Sequence, residues 1–241
     1  MSSASPNGVP ASGPRLAWLF DVDGTLLLTD GAAREAFAAA VAEHLGVADD
    51  LRDIAFAGRT EPLILGDILN KHGRRFANDD EPQFWATVFD HMRVLLHPGR
   101  GRLLPGVAEL LDAIEAEPRW VKGLLTGNMT GMAEIKLRRF RIQDRFAFGA
   151  FGQEAADRND LARLAIGRVG AAYGIPASRC IVVGDTEHDI ACARAAGAHV
   201  VAVATGTRRR GELEPLHPDL MLDDLSEPAA LLEWAREIAA R

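Results

Sequence analysis

An α/β fold is what this sequence predicts, with a three-layer core around a parallel sheet and a helical insertion near its start. Short continuous apolar runs end in small or acidic residues, helical patterns separate them, and one long stretch carries helical patterns without a convincing strand. The runs are Leu16–Phe20, Val121–Leu125, Cys180–Val183 and His199–Ala204, with a weaker one at Leu220–Leu222. Continuous rather than alternating hydrophobicity marks strands buried on both faces. Helical patterns cover Val107–Glu117, which follows the helix-start residue Pro105, then Met129–Phe140, Asp160–Tyr173 and Asp189–Ala196. Gly174 and Gly197 stand where a glycine ends a helix. Strands alternating with helices close into a parallel sheet through right-handed crossovers.

From residue 32 to 100 the alternation stops. Helical patterns at Ala32–Leu45, Pro62–His72 and Pro82–Leu96 follow one another, bordered by Asp30-Gly31 and by His97-Pro98-Gly99-Arg100-Gly101. The expected organisation is a core of residues 15–31 and 101–241, Rossmann-like in its layering, interrupted by a helical unit at 32–100. Residues 1–14 are mostly Ser, Ala, Pro and Gly and read as a disordered tail, without the basic and apolar regions of a secretory signal.

Composition narrows the function classes. With 241 residues and 48% hydrophobic side chains the chain can bury a sizeable core. Acidic residues outnumber basic ones, 34 to 27, for a formal charge of −7. That sign disfavours nucleic acid and anionic lipid. No apolar run approaches the roughly 20 residues that cross a bilayer. The two cysteines, Cys180 and Cys192, form neither a disulfide framework nor a zinc spacing, and they suit a reduced, cytoplasmic setting.

The strongest chemical signal is Asp21-Val22-Asp23-Gly24-Thr25, directly after the first strand. Residues two apart in extended backbone share a side, so Asp21 and Asp23 project together where open α/β sheets bind ligands. Paired carboxylates repel unless a cation or proton lies between them, which suits a nucleophile or metal ligand beside a proton-exchanging acid. A capped Asp-Gly turn is the structural reading of the same residues. The second signal, Thr126-Gly127-Asn128, ends the next strand. A hydroxyl and two backbone amides there could cradle phosphate oxygens, or Thr126 or Asn128 could simply cap a helix. The third, Gly184-Asp185-Thr186-Glu187-His188-Asp189, brings two more carboxylates to a strand end. Hard oxygen ligands suit Mg²⁺, whereas an aspartate near a helix start also serves the helix dipole. His188 and the run Arg208–Arg210 read as surface residues. Arg158, before a helix, offers a planar fork for a phosphoryl group or is a solvated loop arginine.

Together these four signals, in this order, make the chain from Arg15 onward resemble the haloacid dehalogenase superfamily, in its phosphoglycolate phosphatase and β-phosphoglucomutase-like branch. The resemblance implies that Asp21 is a phosphorylated nucleophile and Asp23 a general acid/base. It implies that Asp21, the backbone carbonyl of Asp23, and Asp185 bind Mg²⁺ with Asp189 in support, and that Thr126 binds phosphate with Asn128 nearby. The family's third motif is usually a lysine before proline. No lysine follows Lys136 here, so Arg158 is assigned that place. Asp23 separates the chain from the dehalogenases, which lack an aspartate two residues after the nucleophile. The insertion matches the family's helical cap, with Arg59 in Gly58-Arg59-Thr60-Glu61 reaching toward substrate. The implied activity is hydrolysis of a small phosphorylated metabolite. A phosphomutase of the same fold, or a non-enzymatic phospho-acceptor resembling a receiver domain, remains open.

Overall fold

The computed structural model describes residues 15–77, 80–155 and 157–241. The expected tail at 1–14 lies outside the described residues.

The elements run in chain order as β1 (Leu16–Phe20), β2 (Leu27–Leu28), α1 (Ala32–Leu45), α2 (Glu61–Lys71), α3 (Asp80–Leu95), β3 (Arg102–Leu103), α4 (Val107–Glu115), β4 (Trp120–Leu125), α5 (Thr130–Arg139), β5 (Gly149–Ala150), α6 (Arg158–Tyr173), β6 (Cys180–Gly184), α7 (Glu187–Ala195), β7 (His199–Val203), α8 (Arg210–Leu213), β8 (Leu220–Leu222) and α9 (Pro228–Ala240). A six-stranded parallel sheet has the order β5-β4-β1-β6-β7-β8. This is the three-layer α/β core with an inserted helical cap that the apolar runs predict. The two-residue strand β5 and the closing helix α9 are additions to that expectation. Observed helices start or stop up to two residues from the pattern boundaries, where caps rather than hydrophobicity decide.

β1 is buried on both faces, and its alternate side chains serve different layers. Leu16, Trp18 and Phe20 pack with α4 and α9, while Ala17 and Leu19 pack with α6 and α7. Trp18 stacks on Phe20 at 6.0 Å between centroids. The sheet order reverses at β1: β4 and β5 extend it one way, β6 to β8 the other. The carboxyl end of β1 is therefore the switch point, where diverging loops leave a crevice.

The cap helices build their own core. Phe37, Phe84, Trp85, Val88 and Met92 pack against α2 residues Ile64 and Ile68. Met132 of α5 joins this cluster, so the cap rests on the helix that follows β4. At the base, β2 and β3 pair antiparallel, and Arg100 ties the second linker to the first through the Asp30 carbonyl at 2.8 Å and to α1 through Glu35 at 2.6 Å.

Candidate active site

Three strand ends and one helix start meet at the switch point. Asp21 follows β1, Thr126 follows β4 and Asp185 follows β6, while Arg158 opens α6. Asp157 caps that helix by accepting the amide of Asp160 at 2.9 Å, which fixes the direction in which Arg158 departs.

The carboxylates of Asp21, Asp185 and Asp189 are buried, and each offers an oxygen within 4.8 Å of the others. Arg158 Nη2 lies 3.2 Å from Asp21 Oδ1 and pairs with Asp189. Asp189 is 0% exposed, and its second oxygen accepts from the Thr186 amide at 3.0 Å and hydroxyl at 2.7 Å. It closes the α7 capping box, the structural role read for its position, and it also anchors Arg158. Asp185 accepts from Thr25 Oγ1 at 3.3 Å. Gly24 approaches it so closely that a Cβ there would come within 2.4 Å of its carboxylate, and the φ of +82° at Gly24 itself favours glycine.

Electrostatics mark this cluster as short of positive charge. Burial pushes the Asp21 carboxyl up to about 6, against the pull of Arg158 and with repulsion from Asp189 and Asp23. Burial, with Asp189 and Asp21, also raises Asp185 well above the usual carboxylate range. For Arg158, burial opposes the charge, yet Asp189 and Asp21 outweigh it and hold the guanidinium firmly ionised. One arginine for three buried carboxylates leaves room for a divalent cation, and their oxygen donors suit a hard one.

Thr126 is fully buried, and its Oγ1 accepts from Asn128 Nδ2 at 2.7 Å and from the Asn128 amide at 3.3 Å, so its own proton is left to donate. The Asn128 side chain is engaged within the protein: its Nδ2 also donates to Asp23 Oδ2 at 2.8 Å, and its Oδ1 accepts from Lys136. Gly127 supports the cap, since a Cβ there would stand 2.1 Å from the Arg59 carbonyl oxygen. The Glu61 amide donates to the Gly127 carbonyl at 2.8 Å. Arg59 lines the cavity from the cap side and pairs with Asp67. The cavity, about 650 Å³, is bounded below by the core aspartates, Thr126 and Arg158, and above by Arg34, Arg52, Arg59 and Ile64. His188 is exposed but borders it, as does Arg208, which pairs with Glu187 at 2.5 Å.

Two residues to which the sequence patterns gave no role belong to this site. Lys136 is 2% exposed, and its Nζ lies 2.6 Å from Asp23 Oδ2. A lysine breaking the apolar stripe Met132, Ala133, Leu137 on α5 was the available signal, because a buried ammonium needs a partner. Glu61, from the cap, is buried and accepts the Met129 amide at 2.7 Å. Burial raises its carboxyl to about 7, with Lys136 pulling the other way. In sequence it stood beside Arg59 in the Gly58-Arg59-Thr60-Glu61 motif with no role assigned to it.

The fold and site define a class, a capped α/β hydrolase organised around an aspartate cluster. Comparison with known proteins agrees. The family model for HAD-like hydrolases matches residues 159–228. A phosphoglycolate phosphatase of Agrobacterium fabrum is 27% identical over 212 residues, covering 86% of this chain and 88% of that protein. Among solved structures, a predicted phosphoglycolate phosphatase from Haemophilus somnus 129pt superposes with TM-score 0.71 at 19% identity, over 92% of this chain and all of that one. CbbY from Rhodobacter sphaeroides, as a mutant in complex with xylulose-(1,5)bisphosphate, superposes with TM-score 0.70 at 22% identity, over 89% and 96%. The chain is thus similar to the haloacid dehalogenase superfamily, and to its phosphoglycolate phosphatase-like branch in particular.

Proposed function

We propose that this protein is a Mg²⁺-dependent phosphatase that hydrolyses a small phosphate monoester, of the phosphoglycolate or sugar phosphate type, through a phosphorylated Asp21. The observation that carries the reading is the placement of the buried Asp21 carboxylate between Asp185 and Arg158, with Asp23 two residues on. The names of the relatives support phosphatase chemistry, and the bisphosphate held by CbbY supports a small phosphorylated substrate. A cavity of about 650 Å³ is in the range for such a molecule. Two buried free thiols suit a reduced cytoplasmic setting.

Asp21, Asp185 and the backbone carbonyl of Asp23 would hold Mg²⁺, with Asp189 behind them. When bound, the ion supplies the positive charge that the raised Asp21 and Asp185 carboxyls lack, and it polarises the phosphoryl oxygens. Asp21 then attacks phosphorus in line, while Thr126 donates its free hydroxyl proton to a phosphoryl oxygen. Arg158 steadies Asp21 and keeps a buried Nε without a partner among the described residues, a donor left for the phosphoryl group. Asp23 protonates the departing alcohol and afterwards takes a proton from the water that hydrolyses the aspartyl phosphate. The cap excludes bulk water, and Arg59 faces the non-phosphate part of the substrate.

A panel of phosphate monoesters assayed for released phosphate tests the proposal. Turnover should vanish with EDTA, return with Mg²⁺ and be absent in Asp21→Asn. Undiminished activity in that variant, with deamidation excluded by mass spectrometry, removes the nucleophile.

A further inference from the structure

Among the described residues, the hydrogen bonds to the Asp23 carboxylate fall on one oxygen. Lys136 Nζ at 2.6 Å and Asn128 Nδ2 at 2.8 Å both donate to the same oxygen, Oδ2. The two donors also brace each other, since the Asn128 Oδ1 accepts from Lys136. Charge-assisted bonds of this kind hold a carboxylate's plane as well as its position. The support extends to the cap. At the start of α2, the Glu61 amide donates to the Gly127 carbonyl at 2.8 Å, and the Glu61 carboxylate accepts from the Met129 amide at 2.7 Å. The cap therefore grips the core loop on both sides of Asn128.

We infer that Lys136 and Asn128 are positioning residues that bind Oδ2 of Asp23 and leave Oδ1 as the oxygen that exchanges the proton. The inference rests on the phosphatase reading above and deepens it. In the first half-reaction an Asp21 oxygen–phosphorus bond forms and the ester phosphorus–oxygen bond breaks, while the proton on Asp23 Oδ1 passes to the leaving oxygen. In the second, a water oxygen bonds to phosphorus, the Asp21–phosphorus bond breaks, and Oδ1 recovers a proton from that water. Glu61 holds the loop that carries Asn128, so docking of the cap and alignment of the acid/base share one set of contacts.

The distinguishing measurement is dependence on the leaving group. A nitrophenolate departs with little protonation, whereas an alkoxide needs a proton in flight. Wild type, Lys136→Met and Asn128→Ala are compared with phosphoglycolate and with p-nitrophenyl phosphate, reading kcat/KM for each. Lys136→Met should lose about 10²-fold with the alkyl ester and less than about fivefold with the aryl ester. Asn128→Ala should show the same split at smaller size. Equal losses with both esters, or none, overturn the inference. If Lys136→Met fails to fold, as circular dichroism would show, the split in Asn128→Ala decides between the two outcomes. A wild-type protein inert toward both esters, and toward the wider panel, instead overturns the phosphatase reading and the inference with it.

Discussion

The core and the cap face each other across one cavity, yet they hold their charged groups in different ways. On the core side, Asp21, Asp185, Asp189 and Arg158 are nearly without solvent contact and are fixed by strand ends and helix caps. On the cap side, the arginines are held by their own unit. Arg34 bonds the Leu51 and Ile54 carbonyls and lies 4.4 Å over the Phe56 ring, Arg59 pairs with Asp67, and Arg52 pairs with Asp50 at 3.1 Å with both partners largely exposed. Exposed pairs are worth little and rearrange cheaply, whereas a buried pair cannot lose one member without a large penalty. The core thus holds its charged groups by burial, whereas the more exposed ion pairs of the cap can change partners at little cost.

The sharpest way to break this contrast is Arg158→Ala. It strips the counter-charge from Asp21 and Asp189, so activity should fall at least about 10²-fold and stability by about 3–5 kcal/mol, read by denaturant unfolding. A variant that keeps its midpoint would show the core pairs to be as dispensable as the cap ones. Asp21→Asn, by contrast, should be inactive yet at least as stable as wild type in metal-free buffer, because it removes a carboxyl that burial holds at about 6.

A smaller effect should come from Glu61. Its folded value of about 7 lies above the ordinary 4.5, so its contribution is fully present below the lower value and is lost as pH rises through the higher one. In metal-free buffer wild type should lose stability between about pH 5 and 8, and Glu61→Gln should reduce that loss, by at most about 3 kcal/mol. Parallel melting curves of the two proteins across that range would contradict the assignment. The smallest effect on the fold belongs to Arg59→Ala, with stability within about 0.5 kcal/mol of wild type and a KM raised about tenfold with little change in kcat. A large loss of stability would place Arg59 among the rigid parts of the molecule.

Much of this was legible in one dimension because the signals are local. Period and burial announce β1, β4, β6 and β7, since a strand covered on both faces has no polar side to show. Helix α1 runs over the same residues, Ala32–Leu45, that its pattern predicts, ending before Gly46 in left-handed backbone. The weaker signals failed for physical reasons. β5 is two residues long and carries no period. Glu61 stood in the Gly58-Arg59-Thr60-Glu61 motif without a role of its own, because the docked core loop is what makes it a buried acceptor.

The order of residues along the chain is enough to specify the strand ends and the side chains that follow them. A carboxylate placed after a buried apolar run must emerge at the carboxyl edge of the sheet, whatever the rest of the chain does. Packing in three dimensions chooses which of those ends become neighbours and which groups from other elements complete them. Asp21 and Asp185 are 164 positions apart in the chain and meet because β1 pairs with β6. Lys136 joins Asp23 because α5 turns a single long side chain inward beneath the cap. Proximity of that kind is a property of packing, and no pattern along the backbone encodes it.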